Sequence, residues 1–142
     1  MRLRIGLIAV GDEILDGNVL DTNSNWLLKQ LNRMNHDVKR VEIVTDESAA
    51  IISSIRRFLK EDVDVLFVYG GLGPTHDDIT VECVAKALNR DVETNSKALD
   101  FVRKQYKKYH DMGIFRESSI DNLPGAIKMA LAPKGAGILK PQ

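Results

Sequence analysis

Three short apolar runs, separated by segments of helical spacing, limit what this chain can fold into more than any other feature. Leu3 to Val10 is almost continuously apolar. Val38 to Val44 is dominated by Val38, Val41, Ile43 and Val44, and Val63 to Tyr69 is rich in valine. Between the first two runs, Trp26, Leu27, Leu31 and Met34 recur close to helical spacing. Between the second and third, Ile51, Ile52, Ile55, Phe58 and Leu59 lay out a one-faced helix, with Asp46 or Ser48 as its start signal. A run that is apolar on both faces suits a strand covered on both sides. The alternation predicts an α/β fold, a three-layer α-β-α sandwich around a mostly parallel sheet. All strand carboxyl ends then share one edge, and ligands bind there, where the strand order reverses.

The remainder continues the helical theme. Val81, Val84, Ala85 and Leu88 form a stripe. Asn95 to Tyr109 predicts a long polar-basic helix with Leu99, Val102, Tyr106 and Tyr109 on one side, ended by Met112-Gly113. Leu123-Pro124-Gly125 reads as a turn, and Lys128 to Leu131 and Ile138-Leu139 as short strands around Pro133-Lys134-Gly135. No repeat or linker interrupts the 142 residues, which are expected to form one domain. The 20 Lys and Arg balance the 20 Asp and Glu, so no general polyanion surface, and no nucleic-acid partner, is expected. The apolar runs are too short to span a bilayer, and the first one lacks a cleavage site, so neither membrane nor signal peptide is expected. Cys83 stands alone, which removes an intrachain disulfide and a cysteine zinc cluster. The simplest expected location is the cytoplasm.

Chemistry concentrates on the expected sheet edge. Gly70-Gly71-Leu72-Gly73-Pro74-Thr75-His76-Asp77-Asp78 follows the third run and precedes a helix. Its glycines let the backbone turn tightly and approach a ligand, and a helix N-terminus favours phosphate. Carboxylates in the same loop repel phosphate unless a cation lies between them. Gly11-Asp12-Glu13 and Asp46-Glu47 follow the first two runs in the same way. Clustered carboxylates are the usual means of holding Mg²⁺ beside a substrate phosphate. Each acid also has a plainer use: Asp78 and Asp46 as helix caps, Asp12 and Glu13 as loop acids. Asp21-Thr22-Asn23-Ser24 reads as a helix start in which Asn or Ser caps, with Asp21 and Asn23 alternatively bonding a ligand. The glycine loop is neither a Walker A motif nor a dinucleotide fingerprint, lacking the Gly-Lys-Ser/Thr of one and the third glycine of the other.

Together these segments resemble the molybdopterin-binding, MoaB/Mog-type family, and within it the N-terminal domain of the CinA (competence/damage-inducible) proteins. The resemblance rests on Gly70-Gly71-Leu72-Gly73 through Asp78-Ile79-Thr80, on Gly11-Asp12-Glu13-Ile14-Leu15 with Gly17 and Asp21-Thr22-Asn23, on Val44-Thr45-Asp46, and on Lys128 to Leu131 with Pro133, Gly135-Ala136 and Leu139. It implies a MoaB/Mog-like fold and a ligand that is a phosphorylated small molecule, either a nucleotide diphosphate or molybdopterin. It also implies a divalent metal, Mg²⁺ with Mn²⁺ or Co²⁺ as alternatives, held by Asp12, Asp46 and Asp78. Those three aspartates then serve as the catalytic carboxylates, and Gly70, Gly71, Leu72, Gly73, Pro74 and Thr75 surround the phosphates. In the CinA branch the implied activity is metal-dependent pyrophosphate hydrolysis of an ADP-ribose-like substrate. A molybdopterin adenylyltransferase role in molybdenum cofactor biosynthesis, or a non-catalytic binding or oligomerisation module, are the alternatives. The family implies dimers or trimers. Tyr69 stands where the family usually has Ser or Thr. The CinA branch continues beyond Lys140-Pro141-Gln142 with an Asn-Pro-x-Gly-type loop and a deamidase domain, so the chain reads as ending early.

Overall fold

A computed structural model describes residues 1–139; the expected early end at Lys140 to Gln142 lies outside the described residues. The chain divides into two compact units, Met1–Gly71 and Leu72–Gln142.

The first unit runs β1 (Arg4–Val10), α1 (Asp12–Leu15), α2 (Thr22–Arg33), β2 (Asp37–Val44), α3 (Ser48–Lys60) and β3 (Val65–Tyr69). The strands form a parallel sheet in the order β2-β1-β3. Strand β1 is central and buried from Ile5 to Val10, which is why its sequence is apolar without alternation. Its odd residues Ile5 and Leu7 pack with Leu31 and Leu27 of α2. The opposite face carries Gly6, where an added Cβ would come within 2.5 Å of the Phe58 ring of α3. Helices therefore cover both faces, and the three-layer α-β-α arrangement holds within this unit. The Phe58 ring is fully buried and also carries the Arg40 guanidinium, 4.4 Å from its centroid.

Arg4 joins the starts of β1 and β3. Its backbone N–H donates to Asp64 Oδ2 at 2.8 Å, and its guanidinium reaches Oδ2 at 3.1 Å and Oδ1 at 2.8 Å. The Arg4 side chain, then its backbone N–H, holds the Asp64 carboxyl down at about 2. A folded-state value below the ordinary carboxylate range gives stabilisation that is complete above that range and disappears as pH falls through the folded value. Between about pH 4 and pH 2 the thermal midpoint of the parent chain should fall more steeply than that of Asp64→Asn. Parallel curves in a thermal melt series would remove this pair from the acid response.

The second unit holds α4 (Thr80–Ala87), β4 (Val92–Thr94), α5 (Ser96–Asp111), α6 (Pro124–Lys128) and β5 (Leu131–Pro133). β4 and β5 pair antiparallel, Val92 opposite Pro133 and Thr94 opposite Leu131. Val102, Ile120, Ala126 and Ala130 form its core, with Ala98, Leu99, Tyr106 and Leu123 packed against them. Asn95 caps α5, its Oδ1 accepting from the N–H groups of Lys97 and Ala98.

Three local expectations change here. Leu123-Pro124-Gly125 is the start of α6 and not a free turn, since Pro124 takes the first helical position, where no N–H is needed. Lys128 closes that helix, so the strand begins only at Leu131. Ile138-Leu139 is not in a strand. Trp26 is 61% exposed on α2. No helix among the described residues is long and apolar enough to cross a membrane.

Candidate functional site

The carboxyl edge of the parallel sheet is built from the residues that end each strand. The Gly11 N–H donates to the Val44 carbonyl at 3.0 Å, extending the β1–β2 ladder one residue past Val10. That extension brings Asp12 against Asp46, 34 residues on. The Asp12 N–H donates to Asp46 Oδ2 at 2.9 Å, and the Asp46 N–H donates to Asp12 Oδ1 at 3.3 Å. Each aspartate thus satisfies the other's backbone, and two like charges are pinned side by side. Asp46 was expected to cap α3, but the cap position is Glu47, which makes no side-chain capping bond. The reciprocal pair takes the Asp46 carboxylate instead.

Beyond β3, Gly70 and Gly71 both have positive φ, +88° and +57°. A Cβ on Gly70 would lie 2.0 Å from the Val10 carbonyl oxygen. Only a glycine allows the chain to leave β3 so close to the end of β1.

Asp21 caps α2 itself, its Oδ1 accepting from the Ser24 N–H at 2.9 Å; the cap was expected at Asn or Ser. The buried Ser24 hydroxyl lies between the Asp21 carboxylate and the Tyr69 hydroxyl. Burial, opposed by the Ser24 hydrogen bond, raises the Tyr69 phenol above its ordinary value. Tyr69 therefore spends its hydroxyl on α2, in the place where a shorter Ser or Thr would keep its hydroxyl near the strand end. Asn23 is exposed on the first turn of α2.

The second unit holds the rest of the glycine loop. Asp78 does not cap α4, whose cap position is Ile79. Its Oδ2 accepts from the Thr75 N–H at 2.9 Å and the Thr75 hydroxyl at 2.6 Å. The Thr75 hydroxyl above all, then the Gly73 amide, holds the Asp78 carboxyl below the usual range. A Cβ on Gly73 would stand 2.7 Å from Asp78 Oδ2, so the turn closes only around a bare backbone. The amides of Gly73 and Thr75, expected to face phosphate, are directed at Asp78. Lys128, absent from the expected site, donates from Nζ to the Thr75 carbonyl at 2.5 Å. Its only sequence signal was a place in the C-terminal segment. Leu72 and Pro74 are exposed, and His76 meets Asp77 at 2.9 Å with both side chains in solvent. Among the described residues no three His, Cys, Asp or Glu side chains gather as a metal cluster. The sheet edge offers two carboxylates, Asp12 and Asp46. Mg²⁺ is commonly held through one or two carboxylates, with waters and substrate phosphates completing the shell.

A parallel open sheet with paired acids and a glycine turn past its strand ends defines an α/β domain of the kind that takes a ligand at the carboxyl edge. Residues 6–133 match the family described as "Probable molybdopterin binding domain", and the chain belongs to that MoaB/Mog-type family. It is 40% identical over 134 residues to a protein of Pyrococcus abyssi, covering 94% of this chain and 52% of that one. It is 36% identical over 107 residues to a CinA-like protein of Thermotoga maritima, covering 75% of this chain and 26% of the relative. The chain thus spans about half the length, or less, of these curated relatives. Among solved structures, CinA from Thermoplasma acidophilum, described as of unknown function, superposes with a TM-score of 0.79 at 32% identity, covering 94% of this chain and 72% of that one. The tungsten cofactor synthesizing protein MoaB from Pyrococcus furiosus shares the fold, with a TM-score of 0.59 at 20% identity over 80% of this chain and 68% of that one.

Proposed function

We propose that the chain is a CinA-type domain that binds a phosphorylated small molecule, a nucleotide diphosphate or molybdopterin, and hydrolyses its pyrophosphate link with a divalent metal. The observation carrying this reading is the reciprocal Asp12–Asp46 pair at the ends of two neighbouring parallel strands. Two carboxylates fixed on each other's backbone repel, and a divalent cation relieves that repulsion. Their hard oxygen donors suit Mg²⁺, with Mn²⁺ and Co²⁺ as substitutes. When bound, such an ion polarises phosphoryl oxygens and neutralises developing charge. Asp12 and Asp46 position it. Gly70-Gly71 turns the chain at the end of β3 and keeps that edge close to β1, where the phosphates would sit. Asp78 acts by shaping the Gly73–Thr75 turn, its charge balanced by Lys128.

The test is a panel of metals against substrates. ADP-ribose or FAD should be cleaved at the pyrophosphate in the presence of Mg²⁺, Mn²⁺ or Co²⁺, and chelation with EDTA should abolish turnover. Molybdopterin-dependent consumption of ATP would favour adenylyl transfer instead. Tight binding without turnover would leave a binding module. If no phosphorylated ligand gives heat in calorimetry, with or without metal, the reading is wrong. The dimer or trimer implied by the family is checked by sedimentation of the same samples.

A further inference from the structure

Within the second unit, α5 carries an apolar groove beside a row of lysines, and the chemistry proposed above uses neither. Phe101, Gln105 and Tyr109 follow one another at four-residue spacing along the helix. With Phe115 and Met129 they line a groove of about 520 Å³. Phe101, Tyr109, Phe115 and Met129 are all exposed, as are Met112 and Ile114 at and past the helix end. Apolar side chains gathered in water in this way mark an interaction site. Lys97, Lys104 and Lys108 fall on the adjoining strip of the same helix. Lys97 and Lys104 meet Phe101 around a second recess of about 340 Å³, so the lysine row and the groove share a wall. None of the three lysines makes a salt bridge among the described residues. Asp100 lines the same recess and offsets one of them, which leaves a positive excess along one rim. At ~1.5 Å per residue the row spans about 16 Å, or roughly three helical turns. Its occupant must be apolar on one side and acidic along one edge. The form of the groove selects among anions. It is concave, which a flat bilayer does not fill. Its rings already engage one another, Phe115 at 4.9 Å and 42° to Tyr106 and at 5.3 Å and 62° to Tyr109, so their faces are not free to stack bases. Ring edges and the Met129 methyl remain, and these pack aliphatic side chains. An amphipathic helix laid in such a groove seats its apolar face and aligns its charges with the rim.

We propose that this face of the second unit docks an acidic amphipathic segment of a partner protein, with its apolar side chains in the groove and its carboxylates along Lys97, Lys104 and Lys108. The test is selection of helical peptides on the immobilised chain. The library has a fixed apolar stripe and edges randomised over acidic, basic and neutral residues. Survivors should carry Asp or Glu along one edge, and their binding should weaken as salt rises. The double reversal Lys104→Glu with Lys108→Glu, verified as folded by circular dichroism, should weaken that binding roughly tenfold. Exchanging the peptide's acids for lysines should restore affinity for the variant and lower it for the parent, a readout that damage to the helix would not give. Phe101→Ala should weaken binding about tenfold as well, without rescue by the exchange. Selected peptides that lack an acidic excess, or that bind every variant as tightly as the parent, would overturn the proposal, and so would a library that yields no binder. Phosphatidylglycerol vesicles or single-stranded oligothymidylate, held by the parent and released by the double reversal while no peptide is selected, would give the face to lipid or nucleic acid and overturn it. A parent oligomer that Phe101→Ala dissociates in sedimentation would assign the face to a second copy, with the same consequence.

Discussion

Gly70→Ala is expected to destabilise the first unit by about 3 kcal/mol or more and to abolish ligand binding. A left-handed backbone costs an L residue about 1–2 kcal/mol without any clash. At Gly70 the new methyl would also meet the Val10 carbonyl oxygen at 2.0 Å, a backbone atom in the central strand that no rotamer change can move aside. The relief available is a shift of the β3 exit away from β1, and that shift opens the edge on which Asp12 and Asp46 stand. Gly17→Ala is the control. Gly17 has φ +74° and nothing within 4 Å of an added Cβ, so it carries the conformational cost alone, about 1 kcal/mol. Denaturant midpoints of the two variants should differ by roughly the clash. Equal midpoints would mean that the close approach of Gly70 to β1 is absent in solution.

Asp46→Asn should leave the fold nearly intact and lower metal-dependent turnover by about a hundredfold or more. The asparagine carbonyl can still accept the Asp12 N–H, so the reciprocal geometry survives while one of the two charges is lost. Asp46→Ala removes both and should lose stability as well, about 1 kcal/mol for an exposed hydrogen bond to an ionised acceptor. The comparison separates holding a cation from holding a loop. If Asn and Ala variants lose activity in step with their melting temperatures, the pair is a structural latch and the cation site lies elsewhere. Isothermal titration with Mn²⁺ gives an independent reading of the same question.

The fold was largely legible because its signals are local. The apolar run to Val10, the valine-rich β3 and the Ile51–Phe58 stripe each announce an element through their own spacing, and the structure keeps all three. Short elements were not legible. The three-residue β4 is exposed along its length and shows no strand pattern, existing because Leu131–Pro133 pairs with it from 39 residues away. In α6 the Pro-Gly dipeptide looks like a turn, and only packing of Ala126 into the core of the second unit makes it helical. The acids were legible as residues but not as partners. Asp46 has a good cap composition, yet its hydrogen bond runs to a residue on another strand, a pairing that only the β1–β2 register decides. Asp78 was placed near its helix correctly and bonded incorrectly, because Thr75, three residues earlier, competes for the same oxygens at closer range.

The order β2-β1-β3 also sets a timetable. Ile5 pairs with Val38 on one side and Val65 on the other, so the most buried strand is synthesised first and has both flanks covered only when the last strand arrives. A growing chain can dock β2 once α2 is formed, but the second flank of β1 stays open until Tyr69 has emerged. During that interval an apolar strand with unsatisfied N–H and C=O groups is exposed to other nascent chains. Slow translation between Val44 and Val65 would lengthen the exposure, and holdase chaperones should cross-link most strongly to chains stalled in that window.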